Sequence, residues 1–593
     1  MILRVLLVAL NAKYVHTNLA LRYLREGIRQ AYPDVRLKEF TINDRPEQIA
    51  AELYEVKADV IGFSCYIWNL KEILAILRQL RPVCPNVRFV IGGPEVSFEA
   101  KEFLTEHPEA DALVLGEGEA VFLELLQAWE TGRDITLIGG LAARTERGKV
   151  IVNSPRRGTP DLNSLPFPYI EKEDFTGRLV YVETTRGCPF SCQYCLSSTF
   201  QGVRYQEPER FRKMFKQLLL NGARTIKFVD RTFNANKRHA LKILEVVREE
   251  VESFEDKQNV RIHCEMAGDL LDQEWMAYLA NYPRGLIQLE IGVQSTHEPT
   301  LEIVARKQNF AEWRDYVPKL NACGIPVHLD LIAGLPEENW AGFRTSFNDV
   351  YAVEPDMLQL GFLKVLKGSG LRIQSKRYGL VFSPDPPYTI LETSVMPHWE
   401  LLRLRRIEDI VDKYYNSGKF IHALREAVRF FATPFDFYHG FAEFWQARGW
   451  FQRQWQGKAL FDLLWEYLKT FQSQNETNLL DRSHWEKFVD ALRFDYYLWE
   501  RPNVVPDYLG LEICSGQKET SEAFKTEAEA IRRDEAWQDV IPEFKTIDRR
   551  QWYRNTAVAC FAFDVLQADS AFGPYWYLFY YHQGKVKTYR YER

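Results

Sequence analysis

Three cysteines, Cys188, Cys192 and Cys195, fall within eight residues in the pattern C-x3-C-x2-C. They directly follow an apolar, β-branched run at 180–185, with Arg186-Gly187 as the turn. Thiolates are soft ligands suited to iron–sulfur clusters or to zinc. A structural zinc wants a fourth Cys or His close by, and the next histidine, His239, lies more than forty residues on. Three thiolates on one short loop can instead hold three irons of a [4Fe–4S] cluster and leave the fourth open to a small molecule. The chain has nine cysteines, an odd number. That count, with three of them clustered, suits a reducing compartment and a metal site better than a disulfide framework, so a cytoplasmic location is expected.

The surroundings of this loop read as α/β. Residues 1–145 alternate apolar runs at 2–9, 35–40, 60–64, 87–91 and 112–115 with helical periodicity at 18–31, 70–80 and 120–129. This predicts a Rossmann-like (flavodoxin-like) parallel sheet covered by helices, with ligands at the carboxyl ends of its strands. The loops at those ends run from Asn11 to His16 and from Ser64 to Asn69. Two more are Gly92-Gly93-Pro94-Glu95 and Gly116-Glu117-Gly118-Glu119. Residues 146–178, rich in Pro, Gly and Arg, are expected to be an ordered linker. Between 179 and 375 six strand candidates (180–184, 225–229, 261–265, 287–292, 327–332, 357–362) alternate with helices, predicting a six-stranded βα partial barrel. Residues 376–593 are mostly helical in pattern, rich in aromatic residues, and end in a strand-like pair at 556–565 and 575–581. The aromatic stretch from Arg429 to His439 is read as core rather than as a pocket lining. His398, His422, His439 and His582 are acid–base candidates only in the general sense that histidines are.

Net charge is −6, so no overall basic excess directs the chain to nucleic acid. No run is long and apolar enough to span a bilayer. The opening MILRVLLVAL is read as a first buried strand, since no small-residue cleavage site follows its short apolar run.

C-x3-C-x2-C after a first barrel strand, with the aromatic Tyr194 before the last cysteine, resembles the radical S-adenosylmethionine (SAM) superfamily. The resemblance implies that Cys188, Cys192 and Cys195 hold a [4Fe–4S] cluster. The open iron chelates the methionine part of SAM, which is cleaved to methionine and a 5′-deoxyadenosyl radical. Later segments resemble family segments near the cofactor. Asp230 ends the second strand, where relatives often carry glycines, and Glu265 ends the third. Gln294 and Ser295 fall in a G-V-Q-S segment. Arg306 matches an arginine that pairs with the methionine carboxylate, and Asp330 opens a D-x-I-x-G-L-P segment. No residue is assigned a catalytic role.

The first domain resembles the cobalamin-binding domain found upstream of many such enzymes, through Gly92, Gly93, Glu95, Gly116 and Glu117, with Asn11 and Ser64 at neighbouring strand ends. His16 stands where cobalamin mutases supply a cobalt ligand, but the Asp and Gly of their motif are absent, and opening the helix near Thr17 is the expected role. The whole resembles a subgroup of cobalamin-binding radical enzymes with an extra C-terminal domain. It implies methylation of an unactivated carbon of a small molecule, fed by an electron donor such as flavodoxin or ferredoxin. The alternatives are cyclisation, oxidation or rearrangement without methyl transfer, a tRNA-modifying methylthiotransferase, and a non-catalytic cobalamin sensor or carrier.

Overall fold

Strand β1, Val5–Asn11, has no exposed residue, and β3, Val60–Ser64, has none either. Continuous apolar runs of this kind belong at the centre of a parallel sheet. In the computed structural model they lie side by side in a seven-stranded sheet of order β2-β1-β3-β4-β5-β6-β7. The other strands are β2 (Arg36–Thr41), β4 (Arg88–Gly92), β5 (Ala112–Val114), β6 (Leu141–Arg144) and β7 (Val150–Val152). β1 to β5 are parallel, and β6 and β7 add antiparallel. The stretch expected as linker thus begins by extending the first sheet. The structure describes residues 2–145, 147–155, 161–169, 173–199, 202–474, 482–499, 505–509, 529–533, 547–567, 570–582 and 584–591.

The helix Leu19–Ile28 is capped by Asn18, whose side chain accepts from the Leu21 amide at 2.9 Å. Thr17, expected near this cap, instead donates to the carbonyl of Leu179 at 3.1 Å.

A six-stranded sheet follows, with β8 (Leu179–Val182), β11 (Thr225–Phe228), β12 (Arg261–Met266), β13 (Ile287–Gln294), β14 (Val327–Ala333) and β15 (Met357–Phe362) adjacent in chain order. The pairs from β8 to β14 are parallel, and this is the partial-barrel region. Burial alternates strictly along β12, β13 and β14. With a period of two, one face carries apolar residues under the helices and the other carries half-exposed polar ones. A hairpin, β9 (Thr185–Gly187) with β10 (Val203–Tyr205), intervenes between β8 and β11 and brackets the cysteine loop. Gly187 is required there: its φ is +103°, and a Cβ would run into the carbonyl of Gly202.

The chain divides into two units, residues 1–356 with 360–401, and residues 357–359 with 402–593. The first unit ends with a short antiparallel pair, β16 (Val381–Phe382) and β17 (Ile390–Glu392). The second holds the helices Pro434–Ala447, Ala459–Gln474 and Arg482–Trp499 and a sheet of β18 (Thr556–Phe561), β19 (Tyr575–His582) and β20 (Lys585–Tyr591). The aromatic stretch is core: Phe435, Phe437 and Tyr438 are buried, and Phe441 stacks on Tyr467 at 4.6 Å between ring centres. A third strand, β20, joins the expected pair.

Candidate functional site

The cysteine loop is held from several sides. Asp230, fully buried at the end of β11, accepts from the Thr184 amide at 2.9 Å and the Thr184 hydroxyl at 2.6 Å. It therefore ties down the chain just ahead of the cysteines rather than facing a cofactor. Burial pushes its carboxyl up to about 6. Within the loop, the Gln193 amide donates to Val304 and its carbonyl accepts from Leu371, both at 2.9 Å. The Ser197 amide donates to Cys195 Sγ at 3.4 Å, and Thr232 Oγ1 lies 3.6 Å from Cys188 Sγ. Arg306 places Nη1 4.0 Å from Cys192 Sγ and 3.2 Å from the Tyr194 hydroxyl, while Nη2 donates to the Gly292 carbonyl.

Three sulfur atoms on one loop, with N–H groups and a guanidinium against them, are the donor set a cluster needs. Among the described residues no group of three Cys, His, Asp or Glu side chains could hold a single metal ion. Thiols that share one loop without converging on one point fit three corners of a cube better than a mononuclear zinc.

Of the residues expected near SAM, Arg306 and Gln294 lie at this end of the barrel. Gln294 follows an irregularity in β13 and has a φ of +71°, a conformation few side chains adopt. Ser295 differs from expectation. It is fully buried, donates to Glu338 at 2.7 Å and accepts from the His297 amide at 3.0 Å, so its hydroxyl is used in turning the chain.

Glu265 and Asp330 face the barrel interior as part of a larger network. Lys227 reaches Glu290 at 3.0 Å and Glu265 at 3.4 Å. His263 Nε2 lies 2.6 Å from Glu290, and Gln288 hydrogen-bonds His328. Asp330 Oδ1 is buried with no hydrogen-bond partner. Burial, with Glu290 and Glu265 alongside, pushes its carboxyl up to about 8. Burial and His263 hold the His328 imidazole down at about 4, so it is neutral near pH 7. Only Glu265 and Asp330 of this set were expected from the sequence. The signal for the rest was present in polar residues two apart on successive strands (His263 and Glu265, Gln288 and Glu290, His328 and Asp330).

At the carboxyl ends of the first sheet most of the expected residues are structural. Asn11 donates to the His16 carbonyl at 3.0 Å, and Ser64 Oγ accepts from Asn18 at 3.0 Å. Gly92 ends β4 beside Ser64, and a Cβ on Gly93 would strike the Cys65 carbonyl. Gly116 turns at a φ of +73°. Glu95 is buried, accepts from the Tyr388 hydroxyl and lies 3.3 Å from Lys367. Glu117 pairs with Arg204 at 3.1 Å and Arg186 at 3.3 Å, and Glu119 with Arg186 at 2.8 Å. These carboxylates lace the first sheet to the barrel. His16 does the same: its Nδ1 is 2.5 Å from the Tyr181 hydroxyl on β8. Aromatic side chains are also presented at these ends. Tyr14 and Trp68 are exposed, and Trp68 stacks on Tyr66 at 4.4 Å. Aromatic faces of this kind fit a corrin ring.

A parallel sheet with such loops, joined to an open barrel that carries three thiols at its first strand end, defines a cobalamin-binding radical SAM protein. The family descriptions agree. "B12 binding domain" matches residues 5–126, "Radical SAM superfamily" matches 182–350, and "Protein of unknown function (DUF4080)" matches 376–579. The chain thus carries a radical SAM domain, with a B12-binding domain ahead of it and a DUF4080 region after it. Its domains imply a [4Fe–4S] cluster, SAM and cobalamin.

The chain is 27% identical over 376 residues to the cobalamin-dependent radical SAM methyltransferase TokK of Streptomyces tokunonensis, a match covering 58% of this chain and 54% of TokK. It is 26% identical over 332 residues to the hopanoid C-3 methylase of Methylococcus capsulatus, covering 53% and 60%. The match thus spans little more than half of either relative. The fold resembles that of the cobalamin-dependent SAM radical enzyme OxsB with aqua-cobalamin bound, with a TM-score of 0.56, 15% identity and coverage of 84% of this chain and 80% of OxsB. No helix among the described residues is long and apolar enough to cross a membrane.

Proposed function

We propose that this protein is a cobalamin-dependent radical SAM methyltransferase that methylates an unactivated carbon of a small molecule. The observation that carries the reading is the cysteine loop with Arg306 against it, at the barrel end to which the first domain's loops are tied. When bound, the cluster and SAM supply one-electron cleavage chemistry and cobalamin supplies a transferable methyl group.

The chain's own residues bind and orient. Cys188, Cys192 and Cys195 hold the cluster. Arg306 sets its charge beside the loop, where a guanidinium suits the methionine carboxylate, and Gln294 stands at the same strand end. Tyr66 and Trp68, stacked on one another, would offer an aromatic surface to the corrin. His16 is engaged by Tyr181 and serves the junction between the domains rather than cobalt.

The assignment divides the chain into a cobalamin domain over 1–145, a connection over 146–178, a radical SAM core over 179–375 and a C-terminal region. A low-potential donor such as flavodoxin or ferredoxin feeds the cluster in the cytoplasm, a setting consistent with eight described cysteines that are all free thiols.

The test is anaerobic turnover with methyl-labelled SAM. Labelled product and 5′-deoxyadenosine must both appear. Deoxyadenosine without labelled product would instead select cyclisation, oxidation or rearrangement.

A further inference from the structure

Each cysteine of the loop meets one donor, and the three donors differ in kind. Cys195 Sγ faces the Ser197 amide at 3.4 Å, a backbone group. Cys192 Sγ faces the Arg306 guanidinium at 4.0 Å, a charged group that also reaches Tyr194 and Gly292. Cys188 Sγ faces the Thr232 hydroxyl at 3.6 Å. Thr232 is the one neutral side chain of the three, and the function proposed above gives it no task.

Thr232 is buried and is anchored on both sides. Two residues ahead of it, Asp230 accepts from the amide and the hydroxyl of Thr184 and so fixes the end of β11 against the chain that leads into the cysteines. Two residues after it, Asn234 exchanges two hydrogen bonds with the backbone of Ala267, both at 2.9 Å. Phe233, between them, is buried and stacks on Phe228. A donor held in this way needs little reorganisation when its partner gains charge.

The hydroxyl has one proton and two acceptors in reach, Cys188 Sγ and the Arg231 carbonyl at 2.8 Å. Beside a neutral thiol the carbonyl takes the proton. A sulfur that ligates iron has lost its own proton and carries negative charge. Hydrogen bonds to a charged acceptor are about twice as strong as neutral ones, and a hydroxyl rotates to suit the better acceptor. An added electron places more negative charge on the sulfurs, so the bond favours the reduced state over the oxidised one. Hydrogen bonds to the sulfurs are one means by which a protein sets an iron–sulfur potential.

We infer that the Thr232 hydroxyl, donating to Cys188 Sγ, raises the reduction potential of the cluster and so eases its reduction. The inference rests on the cluster in the function proposed above and deepens it by naming a residue that regulates that site.

The test uses the full chain, reconstituted anaerobically with iron and sulfide and kept free of SAM. Samples are equilibrated at fixed applied potentials, and the paramagnetic signal of the reduced cluster counts the reduced fraction. Thr232→Val keeps the shape and removes the donor. At the wild-type midpoint its reduced-to-oxidised ratio should fall about threefold to tenfold, the upper end being about 59 mV for one electron. Thr232→Ser keeps the hydroxyl and should stay close to the wild type. A packing role alone predicts the reverse order, since serine loses the buried methyl group and valine keeps it. Thr232→Ala should show the same fall as valine, and serves where the second methyl group of valine is not accommodated. In heavy water the reduced wild-type cluster should couple to one exchangeable deuteron that the valine and alanine variants lack. An unchanged ratio in the cluster-loaded valine and alanine variants would overturn the inference. So would a shift as large in serine as in valine, a shift that appears only once SAM is added, or identical deuteron couplings in all variants. Those outcomes leave the proposed function standing, whereas a wild-type chain that binds no cluster would sink both.

Discussion

Asp330 shows how a single side chain can be costly to the resting protein. Burial comes first among the causes of its raised pKa, then Glu290 and Glu265, and together they carry the carboxyl from an ordinary 3.8 to about 8. A folded-state pKa above the unfolded value means that the folded chain holds the proton more tightly. Stability from this group is then full below about pH 4, falls as pH rises toward about pH 8, and is flat beyond. Asp330→Asn removes a charge that is poorly solvated but keeps the shape. It should stabilise the protein by more than about 1 kcal/mol at pH 8 and hardly at all at pH 4. Thermal unfolding at the two values checks this, and an equal change at both would mean that Asp330 ionises freely. Substrate-dependent deoxyadenosine formation should fall in the same variant, a common exchange of stability for function at binding sites.

Among elements, the hairpin of β9 and β10 both brackets the cysteines and receives the first domain. Arg186 lies 2.6 Å from Glu183, 2.8 Å from Glu119 and 3.3 Å from Glu117, with its guanidinium over the Tyr23 ring. Three carboxylates of low exposure pair with it, and while Glu117 would keep Arg204 without it, Glu119 and Glu183 would lose their arginine. Removing one partner from a buried charge group leaves the others uncompensated, at a cost of about 3 kcal/mol. Arg186→Ala should lower the unfolding free energy by about that amount and reduce the iron taken up in reconstitution. Arg186→Lys should rescue only part, because an ammonium cannot fork to several carboxylates at once. Iron content and chemical denaturation measure the two effects, and full rescue by lysine would show that geometry is unimportant here.

The hairpin also marks where the sequence stopped being readable. The sheets were legible because β1, β3 and the barrel strands carry runs and alternations that local periodicity exposes. The cysteines proposed as cluster ligands stand out because three thiols on one loop have few other uses. The hairpin has strands of only three residues each, too short for any pattern. The protein partners of Glu95, Glu117 and Ser295 were hidden for a related reason. A strand-end carboxylate or hydroxyl looks the same in sequence whether it meets a cofactor or an arginine from another domain, and only the fold brings Lys367, Arg204 or Glu338 to it.

At the scale of the whole molecule, the family boundary and the physical boundary differ. The DUF4080 description begins at residue 376, yet residues up to Leu401 belong to the first unit. The segment 376–401 is tied into that unit by specific contacts. The Tyr388 hydroxyl donates to the buried Glu95, and the guanidinium of Arg372 lies over the Tyr388 ring at 5.2 Å. Ile390 packs so closely on Gly334 that a Cβ there would lie 2.7 Å from it. Without the segment, Glu95 would lose the Tyr388 hydroxyl and keep Lys367, and the D-x-I-x-G-L-P turn would lose its cover. A buried carboxylate stripped of a hydrogen-bond partner costs about 1–3 kcal/mol, and losing the apolar contact at Ile390 adds about 2 kcal/mol more. A chain ending at residue 375 should therefore bind cobalamin weakly and retain little cluster after anaerobic reconstitution. A chain ending at residue 401 should retain both. Tyr388→Phe in the full chain isolates the polar part of the effect, and should cost about 1 kcal/mol in unfolding while leaving the cluster's visible absorption in place. If the two shortened chains load equally, the segment belongs functionally with the C-terminal region, as the family boundary has it.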